Sequence, residues 1–215
     1  MKQYQDRHEA GQELAKLLSS FKNEKDVFIL ALPRGGVPVA YQIAKALNVP
    51  LDVFLVRKLG VPGYEELAMG AIADQNVCLL NESLILQLGI NSSQIEQVKK
   101  EESEELKRRN KLYRGRKEFP DLVQKKIILV DDGIATGASI EAAIKAIKKL
   151  HPKEIIIAVP VASIDSLEHL RPLVDKIVCP FTPEPFYSVG TWYKLFSQTS
   201  DEEVCDLLNR ANKDR

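Results

Sequence analysis

An uninterrupted apolar run held between lysines and a glycine turn is stable only as a strand covered on both faces. This chain has such a run at Ile127–Val130. Similar runs recur at Asp26–Leu32 (DVFILAL), Lys153–Ala162 (KEIIIAVPVA) and Asp175–Phe181 (DKIVCPF). Between them lie segments with apolar residues at helical spacing, such as IEAAIKAIKKL from Ile140 and SIDSLEHLRPL from Ser163. These connections are long enough for right-handed crossovers. The expected fold is therefore α/β, a mostly parallel open sheet with helices on both faces.

Two of the strand-to-helix turns carry chemistry. After Val130 the chain reads DDGIATGAS, with paired carboxylates on Asp131 and Asp132, glycines at 133 and 137, and hydroxyls on Thr136 and Ser139. The helix behind this loop points its first amides back at it, which suits a phosphate, while the carboxylates suit vicinal hydroxyls. After Leu32 comes Pro33-Arg34-Gly35-Gly36, followed by a helix from about Val37 with Pro38 in its first turn. A guanidinium there can clamp a diphosphate, and the two glycines let amides approach its oxygens. A third strand, Val49–Gly60, alternates enough to leave its burial open and ends on Arg57 and Lys58. The carboxyl ends of such strands form the ligand side of an open sheet. A P-loop reading fails because no GxxxxGK[ST] stretch exists, and the GxGxxG dinucleotide fingerprint is absent too.

The remaining segments are less specific. DRHEAGQELAKLLSSF from Asp6 reads as a helix reaching Phe21, with Asp6 and Glu9 in a capping-box arrangement. VPGYEELAMG from Val61 reads as a flexible cover, and Gly70–Asn81 as a hairpin at the sheet edge turning at Asp74–Asn76. Residues 92–118 read as a long solvated helix with Glu104–Arg108 and Glu105–Arg109 pairs. Its basic end, Arg108, Arg109, Lys111, Arg114 and Arg116 around Tyr113, could instead supply cations to the site. In the tail, Phe186, Tyr187, Trp192 and Tyr193 are candidates either for stacking on a planar acceptor or for covering the core, and a short amphipathic helix follows from Asp201. The organisation expected is one domain over 1–215, with 70–118 a hairpin and helix insertion and 182–215 a flap and helix.

Charge balance, 30 basic against 30 acidic residues, argues against a general nucleic-acid binder. No apolar run approaches membrane-spanning length and the first residues lack a signal-peptide core, so no membrane is expected and a soluble cytoplasmic protein is. Cys78, Cys179 and Cys205 lack metal spacing and read as reduced, packed thiols. His8, His151 and His169 read as surface or capping residues.

The block IILVDDGIATGAS resembles the donor-binding motif of the type I phosphoribosyltransferases. The wider layout, DRHEAG, LPRGG, RKLG, VDDGIATGAS and TSDEEV, is similar to a broad bacterial group of that family with no assigned acceptor. The resemblance implies a pentosyltransferase that moves a 5-phosphoribosyl group from phosphoribosyl diphosphate to a nitrogenous base or amine, releasing pyrophosphate. Asp131 and Asp132 would bind the ribose 2- and 3-hydroxyls, and Ala135, Thr136, Gly137, Ala138 and Ser139, with Gly133, the 5-phosphate. Arg34, Gly35, Gly36, Arg57 and Lys58 would face the diphosphate. Arg34, Lys58, Asp131 and Asp132 are the catalytic candidates. Mg2+ is the implied cofactor, held mainly through the donor with the aspartates in support, and a homodimer is the candidate assembly. Ala135 stands where the 6-oxopurine members carry an aspartate base, which argues against hypoxanthine and guanine; the ATG of this loop is closer to the adenine and uracil members. The cover segment departs from the family in offering only Tyr64, Glu65 and Glu66 as polar side chains. A second implied reading is a sensor or regulator that binds the donor or a nucleotide on the same fold without catalysis.

Overall fold

The computed structural model describes residues 3–115 and 117–213. Its main sheet has five parallel strands in the order β2-β1-β6-β7-β8. These are β1 (Val27–Ala31), β2 (Leu51–Val53), β6 (Lys126–Val130), β7 (Glu154–Ala158) and β8 (Lys176–Val178). Side chains alternate strictly between two apolar cores. Ile29, Ile128, Val130 and Ile156 face one, and Leu30, Ile127, Leu129 and Ile157 face the other. The first core is closed by α1 (Arg7–Leu17), α2 (Gly36–Leu47) and α7 (Asp201–Lys213), the second by α5 (Ala138–Lys148) and α6 (Ile164–Leu170). The expected layering is observed, and every fully buried aliphatic in these strands stabilises it by roughly 1.5–3 kcal/mol.

A second, antiparallel sheet is built from β3 (Val56–Val61), β4 (Tyr64–Ala73) and β5 (Val77–Leu80). It packs with α3 (Glu82–Leu88) and α4 (Ser92–Arg114) around Leu59, Met69, Ile72, Ile95 and Val98. Several expectations are corrected here. The segment from Val49 is two strands in different sheets, because the Phe54 amide donates to Ala31 and the Leu55 amide leaves the ladder for the Asp74 carboxylate (2.7 Å). Arg57 and Lys58 therefore open a strand of the second sheet and do not end one of the first. The cover expected at Val61–Gly70 is a turn at Pro62–Gly63 followed by most of β4, whose Tyr64–Ala68 stretch pairs with β3. The Gly70–Asn81 hairpin turns where expected but belongs to this second sheet, not to the edge of the first.

The long helix ends at Arg114, where Gly115 caps it with positive φ. It is not solvated throughout. Tyr113 and Arg114 are buried, and the Arg114 guanidinium bridges Asp52 (2.9 Å) and both oxygens of Asp74 (2.9 and 3.0 Å), also donating to the Val53 carbonyl. That arginine ties the second sheet to the first and is not free for a ligand. Arg116 lies outside the described residues. Glu105 takes both Arg108 and Arg109, while Glu104 pairs with Lys107 instead of Arg108.

Smaller corrections concern ends. The first helix stops at Leu17, with Ser19–Phe21 as a single tighter turn, and Glu9 returns to the Gln5 amide rather than to Asp6. β7 stops at Ala158, short of Ala162. Among the described residues no helix is long and apolar enough to cross a membrane.

Candidate functional site

In the order β2-β1-β6-β7, the connection leaving β1 runs to one side and that leaving β6 to the other. The crevice at the carboxyl ends of these two strands is the switch point where open α/β sheets take their ligands. Both chemistry-bearing turns emerge there. The β1 turn, Leu32–Gly35, is locked to β6 by the Leu32 amide on the Val130 carbonyl (2.9 Å), and its Pro33–Arg34 peptide is cis. Gly36 is required by this closeness, since a Cβ would stand 2.7 Å from the Val130 carbonyl oxygen. A Cβ on Gly35 would stand 2.0 Å from Asp132 Oδ2. Both glycines thus make room for the protein's own acidic pair.

The two carboxylates differ. Asp131 accepts the Asp132 amide (2.8 Å), and burial with the neighbouring Asp132 charge pushes its carboxyl well above the ordinary range. Asp132 is also raised by burial, but Arg7 opposes that rise through an Nε–Oδ2 ion pair of 2.8 Å. The Asp132 carbonyl accepts the Tyr193 hydroxyl (2.5 Å). Arg7 is thus a site neighbour that sequence reasoning missed, and Tyr193, a candidate for stacking or covering, instead bonds the backbone of the acidic pair. Their contacts span 125 and 61 residues, and neither carries a local pattern.

The following loop is held from below. Ile134 donates to the Val161 carbonyl (2.9 Å), and the Ala135 carbonyl accepts Ser163 Oγ (2.9 Å) and Ser166 Oγ (2.6 Å). Ala135, Thr136, Ala138 and Ser139 are exposed above it, and Gly137, with φ 78°, delivers the chain into α5. A concavity of about 190 Å³ runs from Asp131 over Thr136 to Ser139, bounded by Val189. Its size, the first amides of α5 and the hydroxyls suit one phosphate group. Gly133 serves a different need: a Cβ would strike Val189 at 2.6 Å.

Cations surround the crevice, each answered by a carboxylate. Arg34 lies 3.7 Å from Asp201, which also accepts the Tyr113 hydroxyl (2.5 Å). Arg57 pairs with Glu102 (2.6 Å), and with Arg109, Pro33, Asp131 and Ser139 it lines a narrow cleft of about 120 Å³. Lys58 meets Glu66 (3.2 Å) and points into a wider groove between the second sheet and α4. Asp131, the loop and Arg57 therefore converge, while Asp132 lies behind Asp131 against Arg7 and Gly35, and Arg34 and Lys58 stand at the margins. Of the tail aromatics, Trp192 and Tyr193 are buried with Tyr4, Phe181 and Phe186, and Tyr187 alone of the four candidates is exposed. His8 contacts Gln12 and His169 contacts Glu141, both at the surface.

Residues 1–184 match the model of the phosphoribosyl transferase domain. Two Mycobacterium tuberculosis proteins, of strains CDC 1551 / Oshkosh and H37Rv, each named "Putative phosphoribosyl transferase", are 41% identical over all of this chain. The chain spans 48% of the length of these curated relatives. A crystal structure of TT1426 from Thermus thermophilus superposes with a TM-score of 0.86 at 35% identity, covering 98% of this chain and 99% of that one.

Proposed function

Because the chain belongs to the phosphoribosyl transferase domain family, we propose that it transfers a 5-phosphoribosyl group from phosphoribosyl diphosphate to a nitrogenous acceptor with release of pyrophosphate. The observation that carries this reading is the meeting, at one switch-point crevice, of Asp131, with Asp132 beside it at the same strand end, and a phosphate-sized concavity along Thr136–Ser139. In this reading the carboxylates accept hydrogen bonds from the ribose hydroxyls. Gly133 and Ala135–Ser139 receive the 5-phosphate through amides and hydroxyls. Arg34, Arg57 and Lys58 exchange their present carboxylate partners for the diphosphate, which the Gly35–Gly36 turn lets approach the backbone.

Such a reaction needs no nucleophilic side chain. Departure of pyrophosphate leaves positive charge on the anomeric carbon and ring oxygen, and fixed negative charge below the ring lowers the energy of that state. Arg34 and Lys58 would stabilise the leaving group, and the rest of the acceleration would come from holding donor and acceptor in line. Aspartate oxygens are hard donors suited to magnesium, yet among the described residues no three His, Cys, Asp or Glu side chains gather to hold a metal. The fit is therefore to an ion carried in by the donor's own oxygens, with Asp131 and Asp132 in support through water and not as direct ligands. When bound, magnesium supplies charge neutralisation at the diphosphate.

The test follows pyrophosphate release from phosphoribosyl diphosphate and magnesium across a panel of bases and amines, alongside calorimetric donor binding. Turnover on one acceptor supports the transferase. Donor binding without turnover on any acceptor overturns it in favour of a donor or nucleotide sensor.

A further inference from the structure

Asp132 is held by more than its own strand. The Arg7 guanidinium gives Nε to Asp132 Oδ2 (2.8 Å) and Nη1 to the Ser197 carbonyl (2.7 Å), and its flat face lies 4.0 Å from the centre of the Phe196 ring. Both charged side chains are largely withdrawn from water, at 11% and 15% exposure, so the pair is screened far less than one at the surface. Arg7 itself has little freedom. It is the first residue of α1, which Asp6 caps, and the segment before it is bridged to the tail by Tyr4–Trp192 and Tyr4–Lys194 backbone bonds of 2.9 Å. On the other side Gly35 leaves just enough space for the carboxylate.

Among the described residues Asp131 has no such cation. It meets the Asp132 amide, the Asp132 charge and, more distantly, the charge of Arg7. The pair is thus asymmetric, and the asymmetry originates in an N-terminal helix that contributes nothing else to the crevice.

We propose that Arg7 is a positioning residue for the donor site, holding the Asp132 carboxylate as a fixed, charged acceptor for a ribose hydroxyl. Oδ2 is engaged by Arg7, which leaves Oδ1 to meet the sugar in one orientation. Loss of the guanidinium frees the carboxylate to rotate and removes the charge that opposes its protonation. This inference rests on the donor-site reading above and adds to it a residue outside the donor-binding block IILVDDGIATGAS.

The test is calorimetric titration of the full chain with phosphoribosyl diphosphate and magnesium, from mildly acid to neutral pH, for wild type, R7K, R7Q and F196A. R7Q is expected to bind about tenfold or more weakly, the equivalent of losing one hydrogen bond to a charged group. R7K should recover most of that loss. The acid edge of binding should move to higher pH in R7Q, because Asp132 then protonates more readily, a change that a merely structural role would not produce. F196A removes the ring behind the guanidinium, which also packs on Tyr193 (5.1 Å), and should weaken binding in the same direction by less; it serves if R7Q does not fold. Donor affinity and acid edge unchanged in R7Q, or in F196A where R7Q is unfolded, overturn the proposal. Equal weakening by R7K and R7Q overturns it as well. Wild type that fails to bind the donor overturns the functional reading and Arg7's role with it, a result distinct from wild type that binds with variants unaffected.

Discussion

Replacing Gly35 by alanine adds one methyl group at the point where the β1 turn meets the acidic pair. The backbone tolerates it: Gly35 has φ −60° and ψ −31°, a helical geometry open to any residue. The unfolded chain would even lose freedom, a stabilisation of roughly 0.4–1 kcal/mol. The cost is steric. The new Cβ would stand 2.0 Å from Asp132 Oδ2 and 2.6 Å from Cγ, whereas ordinary contact begins near 3.4 Å, so the oxygen must retreat by about 1.4 Å. That breaks its 2.8 Å bond to Arg7. A hydrogen bond to a charged group contributes about 1.5–3 kcal/mol, leaving a net destabilisation of roughly 1–2 kcal/mol after the backbone gain. Donor binding should suffer more than the fold, by about tenfold or more, because the displaced carboxylate no longer meets the ribose. Urea melts and donor calorimetry on the same preparation separate the two. A folded G35A variant that binds phosphoribosyl diphosphate as wild type does would refute the claim that this carboxylate's position matters.

Three further outcomes are expected. D131N should be more stable than wild type at neutral pH: the folded carboxyl is raised above its unfolded value of about 3.9, so the folded state binds protons more tightly and loses stability as pH rises through the folded pKa. The gain should vanish as melts are repeated toward pH about 3.9, and a variant less stable than wild type at neutral pH would contradict it. R114L should cost roughly 3–5 kcal/mol in chemical denaturation, since it strands the fully buried Asp74 carboxylate without its cation; a loss under about 1 kcal/mol would show that network to be dispensable. Cys179, whose thiol burial pushes up to about 11, should resist a neutral-pH disulfide reagent until the protein is unfolded, and rapid labelling of the native thiol would contradict this.

The main sheet was legible because its strands are buried on both faces, and the uninterrupted apolar runs at Val27–Ala31, Ile127–Val130 and Ile155–Ala158 leave little choice of structure. Asp131, Asp132 and the loop to Ser139 were legible for the same reason, since local order along the chain sets them at a strand end. What escaped was decided by distant partners. Val49–Gly60 reads as one strand until the Asp74 carboxylate, 19 residues beyond Leu55, takes the Leu55 amide and turns the chain into a second sheet. Val61–Gly70 reads as a flexible cover because of its proline and glycines, though most of it lies in β4. Arg114 sits in a run of charges that mostly do face water, and only the burial of Asp52 and Asp74 distinguishes it. Arg7 is invisible for a similar reason. Nothing within helical reach hints at a carboxylate 125 residues away.

The bridge between Tyr4 and Tyr193 bears on the order in which the molecule assembles. Contacts this far apart in sequence are entropically costly to close and are made after nearer ones. The sheet and its two cores need neither segment to pair, whereas the Arg7 clamp on Asp132 needs both, since Phe196 and Ser197 hold the guanidinium from the far end. A chain emerging during synthesis would thus acquire its sheet and second core before its acidic pair is set. Local opening of the Tyr4–Tyr193 bridge alone would loosen Asp132 with the cores intact. Native-state hydrogen exchange should therefore find the Lys194 and Leu195 amides, which donate to Tyr4 and Gln5, opening at lower free energy than those of the central strands.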